Sequence, residues 1–275
     1  MAKKAAKTKP ASNSKLPPGK SATRVGKRFI VVYGGPKVGK TTACSKLHAK
    51  WIIADPNAIP LLEAIDKLPA PDDTYEVGSV PEVRTLCATW LDILEKDPTA
   101  FGDVEAVVCD SGTQLAEWLQ NDIAHATNQR FMGDNKKDGG HQQFNAEFSM
   151  LIDDLGALSR YVHVIVIVHA QPKPAFEKGQ WAGFSLPGNK VGEKLGRTAS
   201  WVLYQTMRTF VAEEKDPKDD AFTTYKRDHT KTWIGTEVVI NTRTVGAWFA
   251  SVNATKLADE EPADLATILE KEGLI

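Results

Sequence analysis

Short apolar runs, each about the length of a strand, recur between residues 29 and 207. Phe29–Tyr33 reads FIVVY and Val162–Val168 reads VHVIVIV. Nearly continuous runs of β-branched residues are typical of strands covered on both faces, whereas strands with one solvated face alternate apolar and polar positions. The same pattern in shorter form predicts strands at Trp51–Ala54, Tyr75–Val77, Ala106–Cys109 and Trp201–Met207.

Between these strands the apolar residues recur at helical spacing. They predict helices at Lys40–Lys50, Ile59–Leu68, Pro81–Glu95, Gln114–Ala126 and Gln142–Arg160. Regular alternation of strand and helix predicts an α/β fold, with a mostly parallel twisted sheet and helices on both faces. Later runs predict an antiparallel C-terminal extension of the sheet and a short last helix, at Ala221–Lys226, Glu237–Asn241 and Ala263–Lys271.

Charge divides the chain into unequal regions. Residues 1–28 carry nine Lys or Arg and no acid, which leaves 25 basic and 35 acidic residues in the remainder. The Ala, Lys, Pro and Ser of the N-terminus cannot build a core. We therefore predict a basic disordered tail over 1–27, a main domain over 28–250, and a C-terminal tail with a short helix over 251–275. The basic tail suits either a contact with nucleic acid or an acidic partner, or a purely solubilising role.

Apolar runs and cysteines limit where the protein can act. No apolar run reaches the roughly 18–20 residues of a membrane helix, and Met1–Lys20 lacks the apolar core of a secretory signal. The three cysteines, Cys44, Cys87 and Cys109, are far apart and odd in number. This argues against a disulfide framework or a zinc site and favours buried thiols. We expect a cytoplasmic protein without membrane contact.

A glycine-rich segment directly follows the first predicted strand. Gly34–Thr41 reads GGPKVGKT and matches G-x-x-x-x-G-K-[ST] in full. Glycines let successive N–H groups point at phosphate oxygens, and the helix that follows adds its positive end. Lys40 is expected to reach the β- and γ-phosphates and Thr41 to ligate Mg²⁺. The predicted ATP and Mg²⁺ site comprises Gly34, Gly35, Pro36, Lys37, Val38, Gly39, Lys40, Thr41 and Thr42.

Two further polar residues stand where predicted strands end. Asp110 follows Ala106–Cys109, and it is the expected carboxylate for Mg²⁺, although Asp110 or Ser111 would also suit a helix N-cap. His169 follows Val162–Val168. Because the carboxyl ends of parallel strands meet at one edge of the sheet, His169 is a candidate sensor of the γ-phosphate, with Gln171 as runner-up. A structural role for His169 is the alternative.

The features of the chain follow one another in a familiar order. They are the phosphate-binding loop, the strand end at Asp110-Ser111, a polar loop before a long helix, the strand VHVIVIVHAQ and the segment Gly183–Gly188. Over about residues 28–245 the chain resembles RecA-like P-loop ATPases of bacteriophages. These are AAA-type ATP-binding proteins close to single-strand-annealing recombinases. The resemblance implies a RecA-like ATPase domain in a phage protein acting in the host cytoplasm.

The resemblance also implies two DNA-binding loops, here Thr127–His141 and Gln171–Val191. Their candidate DNA-binding residues are Arg130, Lys136, Lys137, Lys173, Lys178, Trp181 and Lys190, with Phe176 and Phe184 interleaved. Cations alternating with aromatic rings suit single-stranded DNA, since its bases stack on such rings. A solvated loop without a ligand is the alternative.

RecA-like ATPases act as rings or filaments, so the resemblance implies a homo-oligomer in which a neighbouring subunit supplies a cation. Arg227 is our first candidate for that cation and Lys226 the second. One departure from the family concerns the catalytic Glu expected just after the second strand. The chain reads Ala54-Asp55-Pro56-Asn57 there, so Asp55 is the candidate replacement, and Glu63 lies too far along the chain.

Three functions fit these residues. The first is an ATPase that couples Mg-ATP binding and hydrolysis to single-stranded DNA in phage recombination or replication, with a single-stranded-DNA-binding protein as a further candidate partner. The second is a nucleotide-gated scaffold with little hydrolysis, which the missing Glu favours. The third is a small-molecule kinase, which the lack of an arginine-rich lid segment disfavours.

Overall fold

A computed structural model of the chain describes residues 26–132, 139–171, 183–187, 189–212, 223–230, 232–245, 248–252, 254 and 256–275. Almost all of the predicted basic tail therefore lies outside the described residues. None of the helices in the described ranges is long and apolar enough to cross a membrane.

The described chain alternates strands and helices as far as its sixth strand, and then continues mainly as strands. The elements are β1 (Phe29–Gly34), α1 (Lys40–Cys44), β2 (Ala49–Ile53), α2 (Ala58–Ala64), β3 (Thr74–Glu76), α3 (Val80–Lys96), β4 (Ala106–Asp110), α4 (Gly112–Ala126), α5 (Gly140–Leu158), β5 (His163–His169), α6 (Asn189–Thr198), β6 (Trp201–Val211), β7 (Thr223–Arg227), β8 (Trp233–Asn241), β9 (Arg243–Val245), β10 (Trp248–Val252), β11 (Glu260–Pro262) and α7 (Leu265–Glu272).

One sheet contains all of the strands, in the main order β11-β8-β6-β1-β5-β4-β2-β3. From β6 to β3 every neighbouring pair is parallel. β8 pairs antiparallel with β6, β7 and β11. The prediction of a mixed α/β fold with a mostly parallel central sheet is confirmed, and the antiparallel extension lies beyond β6.

Helices cover both faces of the parallel strands, as predicted. Alternate residues of a strand point to opposite faces, and β1 shows this well. Phe29, Val31 and Tyr33 belong to the core cluster formed with α3, α4 and α5. Ile30 and Val32 belong to a second cluster formed with α1, α2 and α7. Burial on both faces explains why β1 is apolar throughout.

Beyond the parallel strands, part of the sheet leaves the core. Residues 206–211 of β6, all of β7 and residues 233–239 of β8 form what we call the antiparallel arm. It runs past the carboxyl edge of β1, because Gly34 at the end of β1 pairs with Gln205 while β6 continues to Val211. Met207 and Val211 are 52% and 64% exposed. The prediction of a strand ending at Met207 was therefore too short.

The helix after the glycine-rich loop is also shorter than the predicted Lys40–Lys50, since α1 ends at Cys44. Ser45 caps it, and both its backbone N–H and its hydroxyl donate to the Thr42 carbonyl. The chain must then turn to begin β2 at Ala49, which pairs with Ala106 of β4. Residues 45–48 are used by that turn.

The C-terminal residues are not a separate tail. β11 pairs with β8, and β10 pairs with β6. α7 buries Leu265, Ile268 and Leu269 completely in the second core cluster. The short terminal helix is present as predicted, and the described residues of 251–275 pack against the domain before them, where they extend the sheet and cover one face.

Candidate functional site

The glycine-rich loop joins β1 to α1 at the carboxyl edge of the parallel strands. An added Cβ on Gly34 would lie 2.2 Å from the backbone oxygen of Gln205 on β6, so only glycine fits there. Gly39 has φ 78°, a left-handed conformation that glycine adopts at little cost. These two requirements explain the first and last glycines of the motif by backbone geometry alone.

Lys40 is held over this loop. Its Nζ donates to the carbonyl oxygens of Gly35 at 2.7 Å and of Gly34 at 3.1 Å. The side chain is buried, and burial lowers its pKa to about 8, while the carboxylates of Asp110 and Asp55 oppose that shift. A buried ammonium with incomplete charge compensation favours an anionic ligand, because the ligand would supply the missing negative charge.

Thr41 and Asp110 meet across the site. The Thr41 hydroxyl donates to Asp110 Oδ2 at 2.6 Å. Asp110 is only 3% exposed, and burial raises its pKa to about 6. The Thr41 hydrogen bond and the Lys40 charge lower the pKa, while Asp55 raises it further. A desolvated carboxylate beside a hydroxyl is a pair of hard oxygen donors, which Mg²⁺ prefers.

These residues line one cavity of about 400 Å³, together with Asp55, Asn57 and His169. The Asp55 backbone N–H donates to the Asp110 carbonyl at 3.0 Å, which fixes Asp55 beside the end of β4. Asp55 Oδ1 accepts from the Asn57 side chain at 2.9 Å. The cavity is thus lined by part of the loop and by Asp55, Asp110 and His169, which the sequence singled out at the ends of predicted strands.

His169 ends β5 at the mouth of this cavity. Its backbone N–H donates to the Thr113 hydroxyl at 2.9 Å. The side chain is half-buried, and burial lowers the pKa of its imidazole, assisted by the charge of Lys40 and opposed by Asp55. A neutral imidazole beside the cavity can accept or donate one hydrogen bond, as a sensor of the γ-phosphate would have to do. Gln171 does not line the cavity, and its backbone N–H donates to the Gly183 carbonyl at 2.8 Å.

The residues in the cavity fit a Mg-nucleotide. The loop supplies a glycine cradle that an added Cβ at Gly34 would disrupt, and Lys40 supplies a buried cation. Thr41 and Asp110 supply the oxygen donors that Mg²⁺ requires. Thr42 and Val38 are buried beneath the loop, whereas Pro36 and Lys37 are exposed on its rim. The volume lies within the range of about 300–1,000 Å³ usual for ligand sites.

A second, polar cleft adjoins the first and was missed at the sequence level. It has a volume of about 340 Å³ and shares Asp55, Asn57 and His169 with the first cavity. Its other wall is formed by α4 and includes Glu117. The signal that could have identified Glu117 is its position two helical turns after Asp110, since that places an acid above the carboxyl edge of the sheet.

The structure places Arg130 and Lys190 of the predicted DNA-binding residues, and it corrects the role of the interleaved Phe184. Phe184 is buried and packs edge-on against Tyr33, with 4.9 Å between ring centroids, so it cannot stack on bases. Lys190 is exposed but lies on α6, because the predicted second loop ends where that helix begins at Asn189. Arg130 stacks over the ring of Phe131, a residue that is 62% exposed. The other candidates lie outside the described residues: Lys136, Lys137, Lys173, Phe176, Lys178 and Trp181.

Arg227 lies far from the cavity of its own chain. It ends β7 and pairs with Trp233, and its guanidinium lies 5.2 Å from the centre of the Trp233 ring. Along the strands, Arg227 lies seven residues beyond Gln205, which is the residue that pairs with Gly34 of the loop. At about 3.3 Å per residue, the distance between them is roughly 20 Å. Lys226 lies beside it on the arm. Neither cation can complete the site within one subunit.

The cysteines take no part in the site. Cys44, Cys87 and Cys109 are free and buried, as predicted. Burial raises the pKa of Cys87 to about 12 and raises the pKa values of the other two further. Within the described ranges, no group of three or more His, Cys, Asp or Glu side chains is arranged to hold a metal ion.

Comparison with known proteins identifies the family of the chain. The model of a family described as "AAA domain" matches residues 27–236, which include the glycine-rich loop, Asp110, His169 and both predicted DNA-binding loops. No curated protein matches the chain.

Proposed function

Because the chain belongs to the AAA domain family, a family of nucleotide-binding, ATPase-like domains, we propose that it binds Mg-ATP at Gly34–Thr42 and hydrolyses it. One observation carries this proposal. Lys40, Thr41, Asp110, Asp55 and His169 come from four separate segments of the chain and line a single cavity at the carboxyl edge of the sheet.

Each side chain then has a role in the proposed reaction. Loop N–H groups and Lys40 bind the phosphates, and Lys40 exchanges its bonds to the Gly34 and Gly35 carbonyls for bonds to phosphate oxygens. Thr41 and Asp110 would hold Mg²⁺. When bound, Mg²⁺ neutralises charge on the phosphates. His169 contacts the γ-phosphate side, since it lies at the end of the neighbouring strand β5.

Asp55 is the proposed acid that orients the attacking water. It lines the same cavity as Lys40 and Thr41, and the Asp110 carbonyl fixes its backbone. Glu117 is the alternative acid, because it faces the adjoining cleft. Asp55 is favoured because Glu117 is exposed and does not line the cavity of the loop.

We further propose that the nucleotide controls binding of single-stranded DNA, in phage recombination or replication. Support comes from the connection of the site to the candidate DNA residues. His169 leads directly to Gln171, where the second predicted DNA loop begins, and Arg130 with the exposed Phe131 follows α4. The distance of Arg227 from its own cavity supports a homo-oligomer in which the arm reaches the site of a neighbour.

The test measures ATP hydrolysis with and without single-stranded DNA, in the wild type and in Lys40→Ala. We expect DNA to stimulate hydrolysis, and the substitution to abolish both the basal and the stimulated rates. Hydrolysis by the wild type that does not respond to DNA would overturn the DNA proposal alone. A Lys40→Ala protein as active as the wild type would overturn the site.

A nucleotide-gated scaffold is the second candidate, favoured by one observation. RecA-like ATPases have a catalytic Glu just after the second strand. In this chain Asn57 lines the cavity in that region, and its amide cannot act as a base. Tight Mg-ATP binding with turnover no faster than that of Lys40→Ala would favour the scaffold.

A further inference from the structure

Gln205 is a completely buried amide that touches the phosphate-binding loop from below. It lies on β6 with 0% exposure, and its Nε2 donates to the backbone oxygen of Val38 at 2.7 Å. Val38 is in the middle of the loop, immediately before Gly39 and Lys40. The bond therefore joins β6 to the backbone of the loop just before its last glycine.

The backbone of Gln205 supports the beginning of the same loop. Gln205 pairs with Gly34 in the parallel ladder, and the two backbones approach so closely that only glycine fits at residue 34. The Gln205 amide also lies close to Gly39, since an added Cβ there would be 3.7 Å from Nε2. One residue of β6 thus fixes the first glycine, the middle carbonyl and the last glycine of the loop.

The stability of the fold does not explain an amide at this position. The Oε1 atom of Gln205 is buried and has no hydrogen-bond partner among the described residues. A buried acceptor that lacks a partner destabilises a fold, and an apolar side chain of similar size would avoid that cost. What the amide provides, and an apolar residue does not, is the bond to Val38.

We propose that Gln205 is a positioning residue that holds the loop in its phosphate-binding shape and so sets the affinity for nucleotide. The inference rests on the proposed function, because it assumes that the loop binds a nucleotide. Gln205 does not line the cavity and does not contact the reacting atoms, so it acts through Val38 and the loop N–H groups.

Gln205→Glu keeps the size of the side chain but replaces the amide donor with a carboxyl group, whose ionised form presents only acceptor oxygens to the Val38 oxygen. Because burial favours the neutral form, which can donate, its affinity is compared with that of Gln205→Met, which has no donor. Asn241→Asp is its matched control. Asn241 is 1% exposed, and its Nδ2 donates to the backbone oxygen of Tyr204 at 3.0 Å, one residue from Gln205 but away from the loop. Both variants bury a carboxylate and break one side-chain to backbone bond.

Binding of Mg-ATP and the melting temperature are measured for the wild type and both variants. We expect both variants to melt at lower temperature, and only Gln205→Glu to lose affinity, by about tenfold or more, since one buried hydrogen bond corresponds to about that factor. Wild-type affinity in both Gln205→Glu and Gln205→Met would overturn the inference.

Gln205→Met separates the role in the loop from the role in folding. Methionine removes the unpartnered acceptor together with the bond to Val38, so we expect a melting temperature at or above that of Gln205→Glu and an affinity that is still reduced. Wild-type affinity in Gln205→Met would overturn the inference. If Lys40→Ala binds as tightly as the wild type, the proposed function itself fails. A loss in Lys40→Ala without a loss in the Gln205 variants rejects only the role of Gln205.

Discussion

The parallel strands and the antiparallel arm belong to one sheet but meet solvent in opposite ways. β1 and β4 are buried along their whole length, and β5 is buried as far as its last residue, His169. On the arm, residues 206–211 of β6 and all five residues of β7 are exposed or half-buried. Ion pairs of Arg208 with Glu237 and Glu260 link β6 to β8 and β11 at the surface.

This difference in burial gives the two regions of the sheet different roles. Burial on both faces makes the parallel strands rigid and places their carboxyl ends at fixed positions, which a phosphate site with a buried Lys and Asp requires. The arm has few buried contacts and is joined by exposed ion pairs, so changes there should affect the nucleotide site little within one subunit. Gln205 lies at the boundary, where β6 leaves the core.

The largest effect on turnover is expected from substitution of Asp55, the proposed catalytic acid at the carboxyl edge of the parallel strands. Asp55→Asn should reduce turnover by about 10²–10⁴, the usual contribution of a positioned acid or base, with Mg-ATP binding retained. Glu117→Gln is the matched control in the adjoining cleft and should lose much less. A larger loss in Glu117→Gln than in Asp55→Asn would transfer the role to Glu117.

The ionised Asp110 side chain should destabilise the unliganded protein, because burial raises its pKa from 3.8 to about 6. This shift corresponds to a loss of about 3 kcal/mol in the free energy of unfolding. A raised pKa means that the folded state binds more protons than the unfolded state between these values, so this cost is present at neutral pH and disappears as the pH falls towards about 4. Asp110→Asn should therefore be more stable than the wild type at neutral pH, by up to that amount.

Urea denaturation of both proteins across this pH range measures the difference. The gap between Asp110→Asn and the wild type should narrow as the pH falls through about 6. A gap that is absent at neutral pH, or that does not change with pH, would contradict the proposed electrostatics. The same variant should lose the dependence of ATP binding on Mg²⁺.

Substitutions of two glycines compare the rigidity of the parallel strands with that of the antiparallel arm. Gly34→Ala places a Cβ 2.2 Å from the Gln205 backbone oxygen, which cannot move without breaking the β1–β6 ladder. Gly235→Ala on the arm places one 2.4 Å from the ring of Phe210, a half-buried side chain that can shift more easily than backbone in a ladder. Overpacking in a rigid core costs about 1–3 kcal/mol. Chemical denaturation should show the larger loss in Gly34→Ala, and the reverse order would show that the arm is the more rigid region.

The smallest effect is expected for Arg208→Ala. Arg208 forms two ion pairs but is half exposed, so we expect a loss of at most about 1 kcal/mol in the free energy of unfolding. Mg-ATP affinity should not change. A clear loss of affinity in this variant would contradict the independence of the two regions and would show coupling through β6.

Most of the parallel strands could be predicted from the sequence, because apolar runs and the polar residues that follow them are visible in the local pattern of the chain. Lys40, Asp110, Asp55 and His169 were expected at strand ends or in the loop, and the structure brings them to one cavity. Their chemical roles remain predictions.

The remainder depends on tertiary contacts that a pattern does not show. α6 reads NKVGEKLGRT, and its two glycines and four charges conceal a helix whose buried large side chains are Val191 and Leu195. Phe184 resembles a loop aromatic until its contact with Tyr33 is seen. Gln205 resembles any polar residue in a strand, because its importance comes from Val38, 167 residues away.

Titration of ATP into the wild type and Lys40→Ala, with Mg²⁺ and with a chelator, tests the central claim most directly. Lys40 Nζ contributes two hydrogen bonds within the loop, and the site proposed here transfers them to phosphate. We expect saturable binding by the wild type that is tighter with Mg²⁺, and a loss of about 100-fold in Lys40→Ala, as two charge-assisted bonds would give. Equal binding by both proteins, or affinity that ignores Mg²⁺, would contradict it.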